Sequence, residues 1–226
     1  MNSSESQKEI VNKTIIFVKE TLKHAESGHD FFHIQRVWKN SKKIALIELE
    51  DNKLDVDLIV VELAALLHDI ADHKFHNGDE TIGPEVAREF LNSIEVEKSV
   101  VDAVCEIIAT ISFKGSTEVN EMKTIEGKIV QDADRLDAIG AIGIARAFSY
   151  GGFKNRVMYD PEEQPNMNMD WKQYKNNKGT TVNHFYEKLL LIKDRLNTKA
   201  GKSVAEKRHQ YMVEFLDNFY DEWNAN

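Results

Sequence analysis

The stretch VDLIVVELAALLHDIA, residues 56–71, is apolar on nearly every side when it is wound as an α-helix. Such a helix is buried all round, so we expect residues 56–71 to form a central helix of the hydrophobic core. His68 and Asp69 lie at its C-terminal end, where the same side of the helix would otherwise be apolar. These two polar residues are therefore candidates for a functional site.

Helical spacing of apolar residues continues along most of the chain on both sides of this helix. With three prolines, eleven glycines and no alternating strand pattern in 226 residues, the sequence predicts an all-α fold. We expect helices over about residues 5–26, 30–50 and 128–149, others starting near Pro84 and Glu97, and two at the C-terminus with apolar faces from Val182 to Leu196 and from Val204 to Trp223.

The length of 226 residues suits a single domain, which we expect here, or a core domain with an appended helical subdomain, and neither needs cross-links. Its one cysteine, Cys105, lies in an apolar helical pattern and is expected in the core. The N-terminus lacks the features of a secretory signal, and no apolar run reaches the length of a membrane span, so we expect a cytoplasmic protein without a membrane partner. A net charge of -9 without a Lys/Arg cluster disfavours nucleic-acid binding, because contacts to the phosphate backbone need a continuous basic surface.

The stretch from Tyr150 to Gly179 is rich in Gly, Asn, Pro and charged residues and is too long for an ordinary connection. We expect residues 151–179 to form a lid beside a functional site, with an exposed insertion of no catalytic role as the alternative. In the lid interpretation Gly151-Gly152 is the hinge, and Lys154, Arg156 and Lys178 supply cations. Residues 180–226 then form the C-terminal helices.

Three predicted helices carry metal-type ligands on sides that would otherwise be apolar. These ligands are His33, the pair His68-Asp69, and the acidic cluster QDADRLD at residues 131–137. Taken alone, His33 is more often a hydrogen-bonded core residue than a ligand, and a single His-Asp pair is weak evidence. Within the acidic cluster Asp132 and Asp134 point in nearly opposite directions on a helix, so one of them at most faces an ion.

Together these motifs resemble the HD superfamily of metal-dependent phosphohydrolases, whose ordered signature is H, then HD, then D. The matching stretches are GHDFFHIQRV, ALLHDIADHKF and VQDADRLDAIGAIGIAR, and TVNHFYEKLLLIKDRL resembles the C-terminal helix of the small bacterial branch. The resemblance covers about residues 20–150 and implies a compact multi-helix HD fold with a C-terminal helical extension. It also implies one metal ion held by His33, His68, Asp69 and Asp134, the last chosen by the match to A-D-R-L.

The type and number of metal ions can be inferred from the ligand set. Two imidazoles and two carboxylates, completed by water, suit divalent Mn, Fe, Co or Ni better than Zn or Mg. Relatives with two ions need additional histidines between the HD helix and the last aspartate, and no histidine occurs from residue 77 to residue 183. We therefore expect one ion.

Asp72, Lys74 and Arg36 are the expected catalytic residues. Asp72 is three residues from Asp69 and four from His68, so a continued helix would bring its carboxylate beside the ion as a general acid or base. The alternative is a surface acid at a helix end. Lys74 and Arg36 are the cations nearest in sequence to these ligands and would bind phosphate oxygens, although each also suits an ordinary surface position.

Asp137, His184 and Lys188 are the expected substrate-binding residues. Asp137, three residues after Asp134, would hold a water on the metal, a ribose hydroxyl or a neighbouring ligand, with a solvated surface acid as the alternative. His184 and Lys188 are one helical turn apart and lie off the apolar face of their helix. They would present a second pair of groups to phosphate.

The resemblance implies a phosphohydrolase that acts on nucleotides, with (deoxy)nucleoside triphosphates favoured and a metal-activated water as nucleophile. The alternatives are a cyclic-nucleotide or other phosphodiesterase, and a noncatalytic metal or nucleotide sensor. The chain reads HDIAD and lacks the H-D-x-G-K and G-Y-P features of the cyclic-dinucleotide branch. Both a monomer and a homodimer are compatible with the sequence.

Overall fold

The computed structural model describes residues 3–23, 30–71, 81–111, 122–169, 173 and 177–226. These residues form helices and their connections, with no strand among them, which confirms the all-α prediction. Within the same residues no helix is both long and apolar enough to cross a membrane. The helices are α1 (Ser3–Thr21), α2 (Phe31–Glu50), α3 (Leu58–Leu67), α4 (Ile82–Ser93), α5 (Lys98–Thr110), α6 (Ile125–Asp137), α7 (Gly140–Phe153), α8 (Thr181–Glu187), a 3₁₀ helix (Leu189–Arg195) and α9 (Lys199–Trp223).

The chain divides into two compact units between Ala133 and Asp134, in the middle of α6. The first unit contains α1 to α5 and the N-terminal part of α6. The second contains the rest of α6 and all later helices.

Helix α3 is the centre of the first unit, as its sequence predicts. It packs against α1, α2 and α5, and its residues are buried except at Leu58 and Glu62. The helix is shorter than the expected 56–71. Asp57 is its N-cap, because the Asp57 carboxylate accepts hydrogen bonds from the backbone N–H groups of Ile59 and Val60. At the C-terminal end, an i to i+3 hydrogen bond from Ile70 N to Leu67 O replaces the α-helical pattern.

Helix α2 begins where its sequence predicts. Asp30 caps it, because its carboxylate accepts a hydrogen bond from the backbone N–H of His33 at 2.9 Å. The inward face includes His33, Val37 and Ile44. In α5, Cys105 is buried as expected, with its thiol 3.4 Å from the carbonyl oxygen of Pro84.

The single helix expected over residues 128–149 is wrong: the structure has two helices, α6 and α7. Helix α6 ends in i to i+3 hydrogen bonds, from Ala138 N to Arg135 O and from Ile139 N to Leu136 O. The chain then turns at Gly140, whose φ of +76° is costly for residues with a side chain. Gly143 lies against the carbonyl of Ala138, so the small residues do permit close backbone approach, as expected.

The helix expected over residues 182–196 also changes type within its length. It consists of α8, capped by the Thr180 hydroxyl, followed by a 3₁₀ helix that starts at Leu189. The change falls at Lys188, whose φ of -142° is outside the helical range. Helix α9 packs against α7 and the 3₁₀ helix. Its Phe215 and Phe219 contact the ring of Phe148 in α7, and Phe215 also stacks on Phe185 in α8.

The described parts of the polar stretch 150–179 are hydrogen-bonded to α8. The first backbone N–H groups of α8, at Thr181 and Val182, donate to the carbonyls of residues 157 and 158 at 3.0 Å. The buried carboxylate of Glu187 accepts from Asn166 N at 3.0 Å and from Asn177 Nδ2 at 2.7 Å. These bonds explain how a segment of such polar composition takes up a defined structure. The lid role stays a prediction.

Candidate metal centre

His33, His68 and Asp134 each bring one ligand atom to within 4.8 Å of the others. Atoms bound to one transition-metal ion at about 2.1 Å are at most about 4.2 Å apart, so only a small contraction is needed to bind an ion here. The donor set of two imidazole nitrogens and a carboxylate oxygen is one that divalent transition metals accept. The structure therefore contains a His/Asp cluster capable of binding a metal ion.

His33 reaches this cluster from the N-terminal turn of α2. Its side chain is 2 % exposed, which confirms that it points inward. Its ring faces that of His68 edge-on, with the centroids 5.4 Å apart and the planes at 69°. His33 in α2 and His68 directly after α3 thus meet at one point of the first unit.

His68 lies in the turn directly after α3, and a backbone contact sets its tautomer. Its Nδ1 is 2.9 Å from the carbonyl oxygen of Ala65. A carbonyl oxygen can only accept a hydrogen bond, so Nδ1 carries the proton and Nε2 has the lone pair available for a metal. The end of α3 therefore prepares His68 as a ligand.

The two aspartates of α6 that compete for the last ligand position have different surroundings. Asp132 is fully buried, whereas Asp134 is partly exposed and belongs to the cluster. This arrangement favours Asp134, in line with the A-D-R-L match. Asp69, next to His68, is not among the described residues whose ligand atoms meet within 4.8 Å, and its role as a ligand stays a prediction.

Two of the three expected catalytic residues, Asp72 and Lys74, lie outside the described residues. Arg36 is on α2, three residues after His33, and is partly exposed. Residues with this spacing lie on the same side of a helix. Phosphate binding by Arg36 stays a prediction.

His184 in α8 has an unusual environment within the second unit. Burial, followed by the positive charges of Lys188 and Arg156, lowers the pKa of its imidazole to about 3. Lys188 also donates its backbone N–H to the carbonyl of His184 at 3.1 Å. The expected pair of His184 and Lys188 is therefore close together, although Lys188 lies where α8 ends instead of on a continuing helix.

The structure adds Arg156 to this pair. Its guanidinium donates to the carbonyl of Asn177 at 2.7 Å and lies 5.5 Å from the centroid of the Tyr150 ring. Sequence spacing does not reveal that Arg156 approaches His184, because 28 residues separate them. The one sequence signal for a role of Arg156 was its location in a cation-bearing segment just before α8.

Asp137 is buried, unlike a solvated surface acid. Its Oδ2 accepts a hydrogen bond from Nη1 of Arg146 at 2.6 Å, and its side chain is 2 % exposed. Among the roles expected for Asp137, these contacts favour that of a group that orients a neighbouring ligand. A direct contact of Asp137 with substrate stays a prediction.

The fold and the cluster define a class of protein, and comparisons with known proteins agree on it. The HD domain family model matches residues 31–139, and the chain belongs to the HD superfamily. The chain is 37 % identical over 203 residues to the Bacillus subtilis protein YpgQ, a match that covers 88 % of this chain and 87 % of YpgQ.

Solved structures of similar proteins cover nearly the whole chain. An HD-superfamily hydrolase from Bacillus thuringiensis is 43 % identical with a TM-score of 0.76, over 97 % of this chain and 100 % of that protein. Bacillus subtilis YpgQ in complex with ADP has a TM-score of 0.73 and 32 % identity, over 96 % of each chain. The fold is thus that of an HD-superfamily hydrolase.

Proposed function

We propose that this protein is a metal-dependent phosphohydrolase that cleaves nucleotides, with (deoxy)nucleoside triphosphates as substrates. The observation that carries the proposal is the convergence of His33, His68 and Asp134 within 4.8 Å. A nucleotide as ligand is supported by the relative YpgQ, whose structure contains ADP.

A divalent ion would supply a Lewis acid for a phosphoryl oxygen and lower the pKa of a bound water. His33, His68, Asp69 and Asp134 would hold it, with Mn, Fe, Co or Ni favoured over Zn or Mg by the mixed nitrogen and oxygen donors. Asp72 would accept the proton of the attacking water and return it to the leaving phosphate oxygen.

The cations of the chain would neutralise the phosphates. Arg36 and Lys74 are proposed to bind oxygens of the phosphate that is attacked, where negative charge develops during transfer. His184, Lys188 and Arg156 are proposed to bind the remaining phosphates. The imidazole of His184, whose pKa is lowered to about 3 chiefly by burial, is neutral and would contribute one ring N–H as a hydrogen-bond donor to a phosphate oxygen.

The proposal is tested by a product screen on metal-free protein. The protein is supplied in turn with Mn, Co, Ni, Zn or Mg and with nucleoside mono-, di- and triphosphates, their deoxy forms, cyclic nucleotides and an aryl phosphate. We expect release of pyrophosphate or phosphate from triphosphates, fastest with Mn or Co. Asp134→Asn should abolish this activity, whereas Asp102→Asn, at a half-exposed carboxylate of α5, should retain it.

Each other outcome of the screen points to a different function. Hydrolysis of cyclic nucleotides alone would replace the proposal with a phosphodiesterase. Binding of metal and nucleotide without any turnover would identify a sensor. Turnover that persists in Asp134→Asn would contradict the proposed metal centre.

A further inference from the structure

Arginines surround the C-terminal turn of α6, the helix that carries Asp134. Arg208 of α9 donates from Nη1 to the carbonyl oxygen of Leu136. Arg146 of α7 donates from Nη1 to the carbonyl oxygen of Asp137 at 3.4 Å and to its Oδ2 at 2.6 Å. Two other helices of the second unit thus contact the last two residues of α6.

A third arginine belongs to α6 itself and donates to a neighbouring element. Arg135, within the same turn of α6, donates from Nη1 to the carbonyl oxygen of Arg195 at the end of the 3₁₀ helix. The turn that follows Asp134 is therefore attached to three elements, α7, α9 and the 3₁₀ helix. We call Asp137, Arg146 and Arg208 the arginine cap.

The arginine cap matches the electrostatics of a helix end. The last four carbonyls of a helix have no partner within the helix, and the end carries a partial negative charge. Here Arg146 donates to the carbonyl of Asp137, and Arg208 is a second donor to the carbonyl of Leu136, which also accepts from Ile139 N. Both guanidinium groups are positively charged. The cap therefore stabilises this turn without the glycine-type ending that many helices use.

The ion pair of the arginine cap is mostly shielded from solvent. The Asp137 side chain is 2 % exposed and that of Arg146 is 27 % exposed. Burial lowers the pKa of Arg208, while the negative charge of Asp137 raises it in partial compensation. Without Arg146 the buried carboxylate of Asp137 would lose its charged partner, which is costly, so the ion pair favours one position of the last turn of α6.

The backbone beyond the cap has little freedom to adjust. Gly140, at the turn into α7, has a φ of +76°, and a Cβ atom there would lie 3.0 Å from Cβ and Cγ of Arg208. The Arg208 side chain is thus packed directly on the turn whose carbonyl it binds. A displacement of Arg208 would move the end of α6 as well.

We infer that the arginine cap positions the Asp134 carboxylate for metal binding. Asp134 is three residues before Asp137, one turn earlier on the same helix, and the cap fixes that turn in rotation and along its axis. Asp137, Arg146 and Arg208 are positioning residues that act through Asp134. The inference rests on the metal centre of the proposed function.

The experiment measures metal binding without catalysis. Metal-free wild type, Arg146→Gln and Asp137→Asn are titrated with Co²⁺, following the visible absorption of the bound ion, and with Mn²⁺ by calorimetry. Loss of a group that orients a ligand commonly weakens metal binding by about 10 to 100-fold, and we expect a loss of that size together with an altered Co²⁺ spectrum. Arg146→Lys, which keeps the charge but not the planar fork, should recover part of the affinity.

Two controls separate positioning from general stability. Arg88→Gln breaks an ion pair with Asp102 of 2.5 Å, which lies on the surface of the first unit, and should bind Co²⁺ like wild type. Met212→Ala removes a fully buried side chain of α9 and should lower stability, yet keep the affinity and spectrum at temperatures where it is folded.

Equal affinity and spectrum in wild type, Arg146→Gln and Asp137→Asn would overturn the inference while leaving the metal centre intact. A loss of affinity in Met212→Ala as large as in Arg146→Gln would overturn it too, since it would reduce the effect to stability. If wild type binds no ion, the metal centre of the proposed function fails and the inference fails with it. If Arg146→Gln does not fold, Asp137→Asn and Arg146→Lys decide by the same criteria.

Discussion

Replacement of His184 by glutamine should make the protein less sensitive to acid. The pKa of His184 is about 3 in the folded protein, because burial and then the charges of Lys188 and Arg156 oppose its protonation, against an ordinary value of 6.5. Below pH 6.5 the unfolded chain takes up a proton at this residue and the folded protein does not. The folded state therefore loses stability as the pH falls from about 6.5 towards 3.

The size of the effect follows from these two pKa values. One proton bound by the unfolded state alone changes the free energy of unfolding by at most about 1.4 kcal/mol per pH unit. Between pH 7 and pH 5 the contribution of His184 should amount to about 2 kcal/mol. This figure depends little on the exact folded pKa, since pH 5 is well above 3.

Urea unfolding at pH 7, 6 and 5 provides the measurement, with tryptophan fluorescence as the signal. The curve of unfolding free energy against pH should be flatter for His184→Gln than for wild type by that amount. Lys188→Met should stay close to wild type over this range, because it leaves the burial that is the largest cause of the low pKa of His184. Parallel curves for wild type and His184→Gln, or an NMR titration that places His184 near pH 6.5, would refute the reasoning.

Three further predictions concern the site itself. In thermal unfolding with and without Mn²⁺, wild type should gain about 2.7 kcal/mol of stability at a free metal concentration of 100 Kd. Asp134→Asn should gain none, and equal gains in the two proteins would count against Asp134 as a ligand. Asp72→Asn should bind metal like wild type yet lose about 10² to 10⁴-fold in kcat, because an amide cannot accept a proton, and near-normal turnover would remove Asp72 from the mechanism. If residues 151–179 form a lid, backbone amides in 154–169 should gain hydrogen-exchange protection when a nonhydrolysable nucleotide binds, and unchanged exchange would leave the insertion interpretation.

The chemical identity of the cluster could be predicted from the sequence because its signals are local. An apolar run from Val56 to Leu67, an aspartate at the start of α2 and a histidine on its apolar face each depend on residues within a few turns. The ordered H, HD and D motifs then select the ligands. The structure brings His33, His68 and Asp134 together as that order implies.

Helix boundaries were less predictable because different helices share one apolar pattern. Residues 182–196 keep an apolar face through both α8 and the 3₁₀ helix, so periodicity does not show the change at Lys188. The small residues that start at Gly140 permit a continuous helix or a turn. The contact of Gly140 with Arg208, 68 residues later, selects the turn.

By itself the sequence determined the helical class, the capped start of α2, the apolar faces of the C-terminal helices, and the residue types of the candidate metal centre. Only the tertiary structure decided which arginines cap α6, and that Arg156 approaches His184. The physical reason is distance along the chain: Arg208 and Leu136 are 72 residues apart, and Arg135 and Arg195 are 60 apart. Such pairs form only when packing closes the intervening chain, and no local propensity encodes which pair will meet.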